Sequence, residues 1–236
     1  QYNVNKWDAG AERVAHAIDA MTPDVVCLEE AGAYHWLGGD RHPDAMKRAM
    51  PGWHFVGRGE ILIATKLEIA AEHVESLAPG PDERPLVEAI VRTPAGEVSV
   101  IAVHLVPTLP FDSWAPDRGA AQGGSLVDVA HVRAQQVERV RAYAADVHRP
   151  VVVCGDFNTP PTTPPIRALS ATLDDAFALR GSGFGYTAPT RLPQQRIDYV
   201  FVRGVSVARV TVGDATTSDH HPVIADLVIA RAGEAR

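Results

Sequence analysis

Residues 151–158 read Val-Val-Val-Cys-Gly-Asp-Phe-Asn, an apolar run that ends abruptly in polar side chains. A short apolar run bounded by turn-forming residues is typical of a fully buried strand. Asp156 and Asn158 follow the run directly, where the strand would reach the rim of its sheet. Because ligand sites often form at such rims, the stretch predicts a buried strand that delivers polar groups to one edge of a sheet.

Similar apolar runs recur on both sides of this stretch. Some lie side by side, with a hairpin turn at residues 94–96, and others are separated by helical patterns. This mixture favours a mixed-sheet α/β layered fold over strict alternation of strands and helices. The 236 residues suit one catalytic domain, 1–236. Residues 1–6 look like the latter half of a strand, so we expect more chain upstream in the natural protein. The predicted strands are 24–28, 53–56, 61–65, 86–92, 98–106, 151–154, 197–203, 205–212 and 222–229, and the predicted helices are 11–21, 44–50, one that starts at Ser125, and 166–170.

The charge balance limits the kinds of partner. The formal net charge is −7, and no run of Lys and Arg is longer than two residues. A protein that holds duplex nucleic acid through its phosphates usually has a basic face. The composition therefore argues against a strong nonspecific DNA binder, leaves nucleic acid open as a substrate, and says little about small phosphorylated substrates. We expect a monomer with no stable protein partner.

Nothing in the chain predicts a membrane span or a signal peptide, and the compartment stays unknown. The two cysteines, Cys27 and Cys154, each end an apolar run. Free cysteine behaves as a small hydrophobic side chain, so we expect two buried free thiols; a disulfide requires the two strands to be neighbours.

Polar residues stand at the ends of five apolar runs, which suggests one shared pocket. Taken singly, each has an ordinary structural explanation, such as a turn, a helix cap or a solvated strand end. The set consists of Glu29 and Glu30, His104, Asp156 and Asn158, Asp198, and the segment Asp219–His221.

The ordered set resembles the endonuclease/exonuclease/phosphatase superfamily, which includes deoxyribonuclease I, abasic-site endonucleases, neutral sphingomyelinases and inositol polyphosphate 5-phosphatases. The resemblance implies a four-layer sandwich, in which two mixed β-sheets pack face to face and are flanked by helices. The chain looks most like a poorly assigned bacterial branch, whose members often carry an N-terminal membrane segment. The matching pieces are Tyr2–Asn5, Asp24–Glu30, Val103–Leu105, Gly155–Asn158, Arg196–Tyr199 and Ser218–Pro222.

The same resemblance implies a divalent cation, Mg²⁺ or Mn²⁺. Mg²⁺ prefers oxygen ligands and keeps several waters, so one or two carboxylates suffice to hold it. Glu30 is the expected principal ligand, with Asp219 and Asn3 or Asn5 nearby. Glu29 occupies a position that is often an amide in similar proteins, so we expect it beside the metal ligands or exposed to solvent.

The remaining residues take catalytic and phosphate-binding roles in the resemblance. Asp156 would orient or deprotonate the attacking water, and Asn158 and Asn3 would contact phosphoryl oxygens. His220 would be held by Asp198 and act as a base or as an electrostatic stabiliser. His104 matches a second active-site histidine that is a candidate general acid. Two further residues are judged separately: Arg84 approaches the phosphate or lies on the surface, and His221 is not expected to be catalytic.

Three functions follow as hypotheses. The first is a metal-dependent phosphodiesterase or nuclease. The second is a phosphomonoesterase or a lipid-headgroup hydrolase of the sphingomyelinase kind, for which Phe111 and Trp114 in the long loop 107–124 would be candidate contacts. The third is a non-catalytic binding module that keeps the fold, although a scaffold has no need of this polar set. Convergence of the polar side chains around one metal-sized space separates the enzyme from the module.

Overall fold

The computed structural model describes residues 1–32, 43–77, 84–107, 126–214 and 217–230. The predicted loop 107–124, with Phe111 and Trp114, and the predicted helix start at Ser125 lie outside the described residues, apart from Pro107. The strands are β1 (Tyr2–Asn3), β2 (Val25–Glu29), β3 (His54–Arg58), β4 (Ile61–Thr65), β5 (Ile69–Ser76), β6 (Pro85–Thr93), β7 (Gly96–His104), β8 (Val151–Asp156), β9 (Asp174–Asp175), β10 (Asp198–Arg203), β11 (Ser206–Val212) and β12 (Val223–Val228). The helices are α1 (Ala11–Met21), α2 (Pro43–Ala49), α3 (Leu126–Asp146), α4 (Pro164–Ser170) and α5 (Ala176–Arg180).

Among the described residues, the strands form sheets in the orders β1-β2-β4-β3 and β5-β6-β7-β8-β10-β9, with β11 and β12 as a separate pair. The pairs β1–β2 and β7–β8 are parallel, and the other pairs are antiparallel. Both large sheets are therefore mixed, as predicted.

Three hydrophobic clusters account for the layering. One lies between the two large sheets and includes Ile63 and Val87. A second lies between the six-stranded sheet and the helices α3 and α4, around Val140. The third lies between the four-stranded sheet and the helices α1 and α2, around Ile18 and Met46. Each of the two large sheets thus packs on both of its faces, which confirms the four-layer sandwich with helices outside.

Strand register brings separate parts of the chain to one rim. His104 pairs with Asp156 across the parallel β7–β8 ladder. Asp198 pairs with the same Asp156 across the antiparallel β8–β10 ladder. Neighbouring strands lie only about 5 Å apart, so the three side chains meet at one edge.

Several boundaries differ from the prediction. The first strand ends at Asn3 and does not reach Lys6, because Asn5, Lys6 and Trp7 form a 3₁₀ turn with positive φ angles of 46°, 54° and 61°. The Asn3 side chain accepts a hydrogen bond from the Asn5 amide at 3.0 Å, which accompanies this turn. The edge strand β5 was not predicted, because its polar residues break the apolar alternation.

The expectation of two free thiols is wrong. Cys27 of β2 and Cys154 of β8 form a disulfide, with their Cα atoms 6.5 Å apart. Both residues are buried, as predicted. Their strands belong to different sheets that face each other, and 127 residues separate them in the chain. The bond therefore ties one sheet to the other, two residues before Glu29 on one strand and two residues before Asp156 on the other.

Within the part of the chain that the structure describes, no helix is long and apolar enough to cross a membrane.

Candidate active site

Asp156 lies at the centre of the polar cluster on the rim. Its Oδ2 atom is 3.2 Å from Nδ2 of Asn3, 3.6 Å from Nε2 of His104 and 3.8 Å from Nε2 of His220. The side chain is almost fully buried. Burial and the negative charge of Asp198 raise the pKa of Asp156 to about 6, although the two histidines act in the opposite direction. A carboxylate with that pKa is mostly ionised at neutral pH and is still basic enough to accept a proton.

His220 and Asp198 form the first imidazole–carboxylate pair. His220 Nδ1 lies 2.9 Å from Asp198 Oδ2, so Nε2 points toward Asp156. Burial alone would lower the pKa of His220, but the charge and hydrogen bond of Asp198 raise it well above its usual value. The same partnership outweighs burial and lowers the pKa of Asp198. The pair is therefore an imidazolium held by a carboxylate at neutral pH.

Hydrogen bonds of Thr187 and Ser218 hold the two segments that carry Asp198 and His220. The Thr187 hydroxyl accepts hydrogen bonds from the backbone amides of Ile197 and Asp198, at 3.2 and 3.3 Å. Ser218 donates its hydroxyl proton to the Asn3 carbonyl at 2.7 Å and accepts the His220 amide at 3.1 Å. The beginning of β10 and the segment that carries His220 are thus anchored to the same part of the sandwich.

His104 and Glu60 form the second imidazole–carboxylate pair. His104 Nδ1 lies 3.1 Å from Glu60 Oε1, and its Nε2 points to Asp156. Burial would lower the pKa of His104, but the charge and hydrogen bond of Glu60, aided by Asp156, raise it to about 8. Arg84 pairs with Glu60 and also lies 3.2 Å from His104 Nδ1. Arg84 therefore contacts the site through Glu60 and His104.

The expected metal ligand Glu30 lies beside Asp156. One amide nitrogen, Nδ2 of Asn3, is 3.2 Å from Glu30 Oε1 and also 3.2 Å from Asp156 Oδ2. The other oxygen of Glu30 is 3.8 Å from Lys6 Nζ. Asp219 is exposed, and its charge adds to the rise in the His220 pKa. Glu30 and Asp156, the two carboxylates that contact the Asn3 amide, offer oxygen donors of the kind that Mg²⁺ and Mn²⁺ prefer.

A second grouping competes for a cation. Among the described residues, ligand atoms of Asp156, Asp198 and His220 lie within 4.8 Å of one another. A cation there would displace the 2.9 Å contact between His220 and Asp198 and would meet an imidazolium. The described residues thus offer two sets of possible ligand atoms beside Asp156, one with Glu30 and one with Asp198 and His220.

A sequence profile of the Endonuclease/Exonuclease/phosphatase family matches residues 1–220. The chain belongs to this family. It is accordingly a hydrolase of phosphoester bonds. Among curated protein sequences none matches it significantly.

Solved structures of this fold cover almost the whole chain. A mannosyl-6-phosphatase from Bacteroides thetaiotaomicron VPI-5482 is 18% identical and covers 97% of this chain and 98% of its own, with a TM-score of 0.73. An endonuclease/exonuclease/phosphatase from Beutenbergia cavernae DSM 12333 is 21% identical over 97% of this chain and 70% of its own, with a TM-score of 0.73. D. rerio TDP2 in complex with a single-strand DNA product is 17% identical over 95% of this chain and 96% of its own, with a TM-score of 0.72. At these identities the likeness concerns the fold.

Asn158 forms hydrogen bonds with Asp156 and with the backbone that follows His104. Its backbone amide donates to Asp156 Oδ1 at 2.8 Å, and its side-chain Nδ2 donates to the Leu105 carbonyl at 3.0 Å. A positive φ of 49° at Asn158 places the residue in the left-handed region, which asparagine tolerates better than most residues. Asn158 thus connects the end of β8 to the chain just after His104.

Glu29 is buried, which excludes the solvent-exposed position that was one of its two expected places. Gln1 donates from Nε2 to Glu29 Oε2 and to Asp198 Oδ1, each at 2.7 Å. Burial raises the pKa of Glu29 to about 8. A carboxyl group that is protonated at neutral pH stands in for the neutral amide often found at this position. His221 faces away from the site, with Nδ1 3.0 Å from the Gly213 carbonyl.

The sequence did not indicate Glu60, Thr187 or Gln1 as site residues, and it gave Ser218 no role beyond its place in the segment Ser218–Pro222. Glu60 directly precedes the apolar strand β4, just as Asp198 precedes an apolar run, so the same strand-end signal was present. The other three act through backbone and amide contacts that follow from the packing of distant segments.

Proposed function

We propose that this hydrolase is a phosphodiesterase that depends on Mg²⁺ or Mn²⁺. The observation that carries the proposal is the placement of His104 and His220, each held by its own carboxylate, with both Nε2 atoms directed at one oxygen of Asp156. Hydrolysis of a diester needs an activated water, stabilisation of charge on the phosphoryl oxygens, and a proton for the leaving alkoxide or aryloxide. The three side chains can supply these needs from one rim.

Glu30 would hold the cation as principal ligand, with Asp219 and Asn5 as the further predicted ligands. A bound divalent cation would neutralise charge on the phosphoryl oxygens. Asn3 is suited to keep Glu30 and Asp156 together, because its amide contacts both carboxylates. In the proposal, Asn158 contacts a phosphoryl oxygen, while Asn3 and Arg84 support the phosphate-binding side through the carboxylates that they contact.

The proposed reaction is a single displacement at phosphorus. Water attacks with its oxygen while Asp156 accepts one of its protons. The bond from phosphorus to the leaving oxygen breaks, and the proton on Nε2 of His104 passes to that oxygen. The His220 imidazolium, held by Asp198, stabilises the negative charge that builds up at phosphorus. The raised pKa of His220 favours this electrostatic role over that of a base.

His104 can protonate the leaving oxygen of a diester, which carries no proton of its own. A dianionic monoester at neutral pH has the same need, so the diester is proposed first and the monoester is kept as the second candidate. A histidine with a pKa of about 8 is protonated at neutral pH and supplies that proton. The partner is thus a phosphoester substrate, and the net charge of −7 leaves nucleic acid among the diesters without favouring it. A phosphomonoesterase on the same site is the second candidate, and a lipid-headgroup diester is a narrower form of the first.

The diesterase proposal predicts a substrate preference. With Mg²⁺ or Mn²⁺ present, we expect kcat/KM for bis-p-nitrophenyl phosphate to exceed that for p-nitrophenyl phosphate by about tenfold or more, which is a difference of about 1.4 kcal/mol in the barrier. Release of p-nitrophenolate measures both reactions. A reversed preference would assign the site to the monoesterase.

The pair between His104 and Glu60 predicts a pH effect. His104 acts only when protonated, so kcat/KM should fall as pH rises through its pKa of about 8. Glu60→Gln removes the negative charge that raises this pKa, so the alkaline limb of the profile should move to lower pH by about one unit, a typical effect of one nearby charge. Glu72→Gln, on the exposed side of β5, is the matched control and should leave the limb in place. An unchanged limb in Glu60→Gln would remove His104 from the role of acid.

A further inference from the structure

Two side chains of helix α3 form hydrogen bonds to the backbone just after His104, one to the amide and one to the carbonyl of Val106. The Val106 amide donates to Oε1 of Gln136 at 3.0 Å. The Val106 carbonyl accepts from Nη1 of Arg133 at 3.3 Å. Positions 133 and 136 are three residues apart, so they lie on one face of α3 and reach the same peptide segment.

Leu105, between His104 and Val106, is held from the other side. Its amide donates to the Asp156 carbonyl at 2.9 Å, and its carbonyl accepts Nδ2 of Asn158 at 3.0 Å. The end of β7 is therefore held by β8 on one side and by α3 on the other. The side chain nearest to these contacts with a proposed chemical role is His104.

Docking of the helix alone does not explain Arg133 and Gln136. The helix already packs on the six-stranded sheet through Val137, Val140 and Ala144. Gln136 is 1% exposed and Arg133 is 9% exposed, although burial of such polar groups is costly without specific hydrogen bonds. Burial also lowers the pKa of Arg133 while the charge of Asp156 opposes that change, so the guanidinium feels the field of the site.

We propose that Gln136 and Arg133 are positioning residues that keep His104 aimed at the leaving group. We use the term α3 clamp for the Gln136 and Arg133 side chains bonded to Val106. The clamp holds the end of β7, and the end of β7 holds the His104 imidazole between Glu60 and Asp156. The inference rests on the proposed role of His104 as the acid. It assigns to α3 a function that none of the sequence motifs indicated.

Gln136→Met tests the clamp, because methionine keeps the length and bulk of the side chain but lacks the accepting oxygen. Gln135→Met is the matched control, since Gln135 is the exposed neighbour on the same helix. Two diesters are compared: bis-p-nitrophenyl phosphate, which has a good leaving group, and diphenyl phosphate, which has a poor one. A misplaced acid matters more for the poor leaving group, so kcat should fall by about tenfold more on diphenyl phosphate than on bis-p-nitrophenyl phosphate. His104→Ala should show the same pattern more strongly, and Gln135→Met should show none.

A second readout does not depend on activity. Gln136→Met should change the ¹⁵N shifts of the His104 ring and speed amide hydrogen exchange at Leu105 by about tenfold, while thermal unfolding stays cooperative. Equal losses on both diesters, together with an unchanged His104 ring and unchanged exchange, would overturn the clamp. If His104→Ala itself affects both diesters equally, the acid role in the proposed function fails, and the ring shifts and exchange rates alone decide whether the clamp positions His104.

Discussion

Replacement of His220 by alanine is expected to lower kcat on bis-p-nitrophenyl phosphate by about 10²- to 10⁴-fold, the range found for removal of a preorganised charge or proton carrier. The imidazolium lies 3.8 Å from Asp156 and is held at 2.9 Å by Asp198. Its loss leaves a buried carboxylate, Asp198, without its cation. It also removes the positive charge that the proposal assigns to the developing negative charge at phosphorus. KM should change much less, because the contact is strongest in the transition state.

His221→Ala is the control for this prediction, because His221 is adjacent in sequence and its Nδ1 lies 3.0 Å from the Gly213 carbonyl. It should stay within about threefold of the wild-type kcat, which is under 1 kcal/mol in the barrier. Asp198→Asn should cost less than His220→Ala, and the double variant should cost little more than His220→Ala, because paired residues act as a unit. A His220→Ala variant that kept more than about a tenth of the wild-type kcat would remove His220 from the chemistry.

Replacement of Glu30 by glutamine is the second large effect. The change keeps the size of the side chain and removes the charge that would hold the cation. At low Mg²⁺ or Mn²⁺, kcat/KM on bis-p-nitrophenyl phosphate should fall on the order of 10³-fold, since a bound cation contributes several kcal/mol. Higher cation concentrations should recover part of the loss, because Asp219 and Asn5, the other predicted ligands, remain.

Glu12→Gln, on the exposed face of α1, is the control and should need no more cation than the wild type. Isothermal titration with Mn²⁺ gives a reading that is independent of catalysis, and Glu30→Gln should bind the ion at least about tenfold more weakly. Equal binding and equal activity in wild type and Glu30→Gln would move the cation to the group formed by Asp156, Asp198 and His220.

Local sequence patterns predicted the site residues that lie on individual strands. The run at 151–158 placed Asp156 at a strand end, and the run at 197–203 placed Asp198 at a strand start. His104 was predicted inside the strand 98–106, whereas β7 ends at His104. The structure brings these three side chains to one rim because β7, β8 and β10 are neighbours in register. Helix α1 was predicted with its bounds, since its apolar spacing and the following Pro23 are both local signals.

The features that the sequence did not reveal depend on which segments become neighbours. Cys27 and Cys154 pair only because their strands face each other across the sandwich. Glu60 reaches His104 from the turn before β4, which belongs to the other large sheet. The bent path at Asn5 and Lys6 depends on a side-chain hydrogen bond within the turn, which strand propensity does not register.

The most direct test of the account is the metal dependence of diester hydrolysis by the unmodified protein. The enzyme is stripped with EDTA, assayed on bis-p-nitrophenyl phosphate, and assayed again after Mg²⁺ or Mn²⁺ is added in excess. A metal-dependent phosphodiesterase should show no turnover above background in EDTA and full recovery with either ion. Turnover that persists in EDTA, or that no divalent ion restores, would contradict a metal-dependent phosphodiesterase.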